Sequence, residues 1–193
     1  MQIEKIIHES LKQAANLVDH GSLELIHRNR SKQFVESLAD KLRKHFNNHP
    51  EICVFSKHYT GNRDRFGLNE LLFDILVCDT DQCDSIRGAK LTYAKKAIWA
   101  IESEMAQDTR KALFDFNKLV LAHSDNKLFI GPQTTDDDAY LATLLPAACC
   151  CDGNVFIALV SHPRRWKGPK RINPLTVNFW QLESNKWSLV RKI

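Results

Sequence analysis

Three carboxylates raise the first chemical question. Asp74 sits at the centre of LLFDILV, and Glu102 and Glu104 close the apolar run AIWAIESEMAQ. Side chains alternate faces along a strand. Glu70, Leu72, Asp74 and Leu76 therefore share one face of an expected strand, and Ile98, Ala100, Glu102 and Glu104 share one face of the next. The two glutamates would stand about 6–7 Å apart. Were the strands to pair, all three carboxylates would converge. Such groups repel one another, and loss of water raises the cost further. A divalent cation relieves both problems, and oxygen ligands with retained waters suit magnesium. A cation so held activates water and neutralises charge on a phosphate.

A second signal is basic. SHPRRWKGPKRINP carries Arg164, Arg165, Lys167, Lys170 and Arg171 around Trp166. Cations meet phosphates and an indole can stack on a base, so the segment reads as a nucleic-acid contact. A solvated loop explains it equally well. Arg63 and Arg65, in TGNRDRFG just before the aspartate strand, are further phosphate candidates that could instead pair with Asp64 and Glu70.

The elements that must position these groups follow from periodicity. Residues 2–19 form an amphipathic helix with Ile3, Ile6, Ile7, Leu11, Ala14, Ala15 and Val18 on one side. Ser31 caps a second helix through Phe46. Strands are expected at 52–59, 70–77 and 97–105, with a charged loop and an extended or helical lead-in from Lys90 before the third. A helix at 108–123, starting at Asp108, leads to a strand at 127–132 that Gly131 and Pro132 stop. Asp136 opens a helix to Cys150, with acidic residues at its positive end and Pro146 as a kink or stop. A strand at 154–162 and a hairpin over 174–193, turning at Ser184–Asn185, complete the chain. The class is α/β: a mixed sheet flanked by helices, with an N-terminal helix and a C-terminal β-hairpin, in one domain over 1–193.

The order of these elements and the acidic residues on them resemble the PD-(D/E)xK, or restriction-endonuclease-like, nuclease superfamily. That family places an aspartate on one strand and an acidic-x-lysine triplet on the next, followed by a helix and a strand. Here FDI supplies Asp74 and IESE supplies Glu102-Ser103-Glu104, and the likeness spans the αβββαβ segment near residues 31–131. It implies a metal-dependent nuclease acting on DNA, with RNA open as a substrate, and Mg²⁺ or Mn²⁺ on Asp74 and Glu102. Relatives often work as dimers, which leaves a homodimer open. Restriction, repair and phage defence are all settings that the likeness allows.

One departure matters. Glu104 stands where the family has lysine, and some restriction endonucleases of the superfamily share it. The resemblance then makes Glu104 a general base or water positioner. It also leaves open a non-catalytic module of the same fold that binds nucleic acid or a protein partner. Lys118, on the following helix, is the catalytic lysine candidate. Its simpler account is a solvated face shared with Lys111 and Asp115. Glu36, on the polar side of the second helix, is expected at the surface.

Composition narrows the rest. The chain has 193 residues and a net charge of +4, which permits a nucleic-acid partner without demanding one. The charged start MQIEKIIHESLKQ and the lack of a long apolar run point to a cytoplasmic chain with no membrane partner. Of six cysteines, three are consecutive, and no CxxC pair occurs, so reduced thiols packed as small apolar residues are expected. No histidine spacing suits zinc, and P-loop and GxGxxG motifs are missing.

Overall fold

Strand order follows chain order. In the computed structural model, which describes residues 2–16, 23–163, 166 and 175–193, seven strands make one sheet in the order β1 to β7. They are β1 (Ile52–Ser56), β2 (Ile75–Asp84), β3 (Lys90–Ser103), β4 (Ser124–Pro132), β5 (Asn154–Val160), β6 (Val177–Glu183) and β7 (Lys186–Lys192). The first three form an antiparallel meander. Helices α4 (Thr109–Leu121) and α5 (Asp137–Ala148) then cross over to make β3, β4 and β5 parallel, and β5–β6–β7 return to antiparallel pairing. Long α2 (Leu23–His45) follows α1 (Ile3–Ala15), and short α3 (Arg63–Phe66) lies between β1 and β2. Among the described residues, no helix is long and apolar enough to cross a membrane.

The sheet buries both faces because its central strands are apolar at nearly every position. Ile75, Val77, Ile101, Leu128, Ile130 and Val160 point towards α1 and α2. Leu76, Ala100, Phe129, Ile157 and Leu159 point towards α4 and α5. The caps expected at Asp108 and Asp136 hold. Asp108 accepts from the Arg110 N–H at 2.9 Å and Asp136 from the Ala139 N–H at 2.9 Å. The C-terminal hairpin turns where expected, with Ser184 at φ 49° and Asn185 at φ 60°, the paired positive values of a tight hairpin turn. Pro146 neither ends nor breaks α5, which runs on to Ala148.

Several boundaries differ, and β4 starts at Ser124, three residues early. Helix α2 starts at Leu23, not Ser31, whose hydroxyl turns back onto the His27 carbonyl at 3.0 Å inside the helix. Strand β1 stops at Ser56. Strand β2 spans 75–84, not 70–77, because Leu72 takes φ 65° and faces solvent, which breaks the chain out of extended geometry. Strand β3 begins at Lys90, so β2 and β3 continue past the sheet as a long two-stranded arm. Both faces of that arm are solvated, and no apolar alternation marks it. The six thiols are free. Only Cys53 and Cys78 are core residues, whereas Cys83, Cys149 and Cys150 are exposed.

Gly153 precedes β5 at φ 68°, and a Cβ there would meet the Asp125 carbonyl oxygen at 2.7 Å. Gly153→Ala is expected to cost about 1–3 kcal/mol, from left-handed strain together with a backbone clash. Chemical denaturation checks this, and an unchanged midpoint would mean that the turn relaxes freely.

Candidate active site

The three carboxylates gather at one end of the β2–β3 pair, but not as a trio. Ile75 pairs with Ile101, so Asp74 lies just outside β2, next to the end of β3. Its Oδ2 accepts from the Ser103 N–H at 2.9 Å and closes the ladder with a side chain. Glu102 follows the alternation onto the face covered by α4, where it is 1% exposed. There Lys118 Nζ donates to its Oε2 at 3.1 Å and contacts Asp115 Oδ1 at 2.9 Å. Glu102 Oε1 is buried with no hydrogen-bond partner.

Burial, then the Asp74 charge, push Glu102 up to about 8, and Lys118 offsets them only in part. Burial likewise raises Asp74, against the Ser103 N–H and Lys118. Burial pulls on Lys118 in the opposite sense, but Asp115 and Glu102 outweigh it and hold the ammonium above a free lysine. Lys118 is therefore a cation throughout the neutral range, close to two carboxyls, Asp74 and Glu102, that burial makes harder to ionise.

Glu104 falls beyond the last residue of β3, where period-two alternation no longer aims it. It lines two clefts, one with Asp74 beside α2 and one with Asp115 beside α4, and its Oε1 accepts from the Ala106 N–H at 2.6 Å. Among the described residues, no group of three or more His, Cys, Asp or Glu side chains could hold a metal ion. The expected convergence of all three acids is corrected accordingly. Asp74 and Glu102 remain close enough for the Asp74 charge to act on Glu102, whose Oε1 is unpaired. Lys118 was the larger surprise: the helix face expected to be solvated delivers its ammonium to Glu102.

The cleft beside Asp74 has a volume of about 680 Å³ and runs between α2 and the sheet end. Arg28 and Lys32 from α2, with Lys57 after β1, line it opposite Asp74 and Glu104. Glu36 also lines it and is not a surface residue. It accepts from Ser56 Oγ at 2.9 Å and from the His58 N–H at 3.2 Å, and it faces Arg43 at 3.8 Å. Sequence reasoning missed the three cations. The i, i+4 spacing of Arg28, Lys32 and Glu36 would have found two of them, had α2 been read as starting before Ser31.

The basic candidates divide. Arg63 and Arg65 are exposed on α3, and neither forms an ion pair with Asp64 or Glu70 among the described residues. Arg65 lies over the Phe66 ring, 5.5 Å from its centre. Arg164, Arg165, Lys167, Lys170 and Arg171 fall outside the described residues. Trp166 is a correction. It is fully buried, packs edge-on against Phe34 and donates its indole N–H to the Ser161 carbonyl. A ring so enclosed has no face left for a base.

No family model, no curated protein and no solved structure matches this chain.

Proposed function

We propose that the chain is a metal-dependent nuclease that hydrolyses DNA phosphodiester bonds at Asp74, Glu102 and Lys118. The observation that carries this reading is the Lys118 ammonium 3.1 Å from Glu102. It supplies from α4 the acid–lysine partnership that Glu104 removes from the strand. Element order supports the same reading: apart from short α3, the elements α2, β1, β2, β3, α4 and β4 follow the αβββαβ sequence of a restriction-endonuclease-like core.

Asp74 and Glu102 fit a magnesium or manganese ion, because a cation would offset the cost of ionising two buried neighbouring carboxyls and one Glu102 oxygen lacks a partner. Such an ion, when bound, supplies an acidified water and neutralises phosphate charge. The remaining work belongs to the chain. Lys118, charged and anchored by Asp115, stabilises the negative charge that develops on the phosphoryl oxygens. Glu104 lines the substrate side of the cleft and positions the attacking water. Asp74 holds the end of β3 through Ser103 and so keeps Glu102 in register.

The test is cleavage of supercoiled, linear and single-stranded DNA with Mg²⁺ or Mn²⁺. The parent is expected to cut and Asp74→Ala to leave no activity. Lys118→Ala is expected to cut about 10²–10³-fold more slowly, as for loss of one charge-stabilising group. A folded parent that cuts nothing with either metal sinks the proposal. It would favour the second reading, a non-catalytic module that binds nucleic acid or a protein partner. One observation already leans that way: the Ala106 N–H occupies the carboxylate that replaces the usual lysine.

A further inference from the structure

The cleft walls carry charge that the fold itself does not use. Lys41, Arg43, Lys90, Lys95 and Lys96 each pair with an acid. Arg28, Lys32 and Lys57 are exposed and make no ion pair among the described residues, yet all three line one cleft. Glu36, one turn after Lys32 on α2, is taken up by Ser56, His58 and Arg43. The three cations thus line the cleft as exposed side chains, across from the acids Asp74 and Glu104. Arg28 and Lys32 are one helical turn apart, about 6 Å along the axis. Lys57 stands on a different element, so the positive wall is two-sided. Ser103 lines the same cleft with a hydroxyl that has no hydrogen-bond partner. An unspent donor beside unpaired cations calls for an anion with several oxygens.

We infer that this cleft is the groove for the phosphate backbone of a single polynucleotide strand, held by Arg28, Lys32 and Lys57 and led by Ser103 towards Asp74. The inference rests on the nuclease reading and names the substrate-holding surface of that site. It assigns strand binding to residues outside the basic segment at 164–171.

The experiment measures binding, not cutting. A fluorescein-labelled single-stranded oligodeoxynucleotide is titrated with the full chain in EDTA at several salt concentrations. A triple variant, Arg28→Ala, Lys32→Ala and Lys57→Ala, is compared with a control triple, Lys90→Ala, Lys95→Ala and Lys96→Ala, which removes equal charge from the β2–β3 arm. Circular dichroism confirms that both fold. The cleft variant is expected to lower the slope of log affinity against log salt by about 2, three phosphate contacts at roughly 0.7 each. The control should leave the slope within experimental error of the parent. An unchanged slope in the cleft variant overturns the inference, as do equal losses in both variants or no binding by the parent. Because EDTA removes hydrolysis from the readout, the two ideas fail separately. Loss of binding in a protein that never cuts keeps the groove and discards the nuclease, whereas cutting with an unchanged slope does the reverse.

Discussion

Glu102→Gln is expected to stabilise the protein above neutral pH and, on the proposed nuclease reading, to slow DNA cleavage. The carboxyl is 1% exposed and is pushed up to about 8, by burial first and Asp74 second. In the unfolded chain it titrates near 4.5. Between those values the folded state binds the extra proton, so stability falls as pH rises from 4.5 towards 8. The slope approaches about 1.4 kcal/mol per pH unit at most. Gln has the same shape and no charge to lose. Parent and variant should match below pH 4.5 and diverge above it, with the variant ahead by pH 8. Hydrolysis should drop by about 10²–10⁴-fold, the span for removal of one essential acid–base or electrostatic group. Urea melts in EDTA and a cleavage assay test both halves. A variant weaker than the parent at pH 8 would make Glu102 a structural partner of Lys118.

The largest purely structural loss is expected at the opposite end of the sheet. Lys127 is fully buried in β4, and its ammonium bonds the Ser124 carbonyl at 3.2 Å, the Asp152 carbonyl at 2.7 Å and the Asp152 carboxylate. These contacts tie the start of β4 to the turn before β5. Lys127→Met keeps the stem and removes every donor, which strands two carbonyls. About 2–4 kcal/mol should be lost, because breaking a buried charged contact leaves its partners unsatisfied. For a chain of this size that lowers Tm by roughly 5–15 °C. A shift within about 0.5 kcal/mol, the range of ordinary surface changes, would show that water replaces the ammonium.

Much of the scaffold was legible, because apolar period and capping agree where one face meets the core. Helices α1, α4 and α5, strand β5 and the final hairpin follow from that agreement. The β2–β3 arm does not, since neither of its faces is buried and no pattern records it. Asp74 was legible as a residue and not as a position: the positive φ of Leu72 moves it from mid-strand to the strand's mouth. Lys118 shows the limit of helical-wheel reasoning, which places a side chain on a face and cannot say what the face meets. Its long stem reaches back to Glu102 while it stays 42% exposed. Trp166 shows the converse. Five basic neighbours suggested a stacking platform, yet its environment is set by Phe34, distant in sequence, and by the Ser161 carbonyl.

A sheet whose strands lie side by side in chain order has a consequence for how the molecule is made. Each strand can add to the one synthesised just before it, so assembly can advance as the ribosome extends the chain, with little loop entropy to overcome at each step. The first helix is the exception. Glu4 in α1 is bonded by Arg191 at 2.9 Å, 187 residues later, and His8 reaches the Leu175 carbonyl at 3.2 Å. Helix α1 can pack on α2 at once, through Ser37 with Gln13 and Lys41 with Glu9, whereas its bonds to Arg191 and Leu175 form only when the end of the sheet is in place.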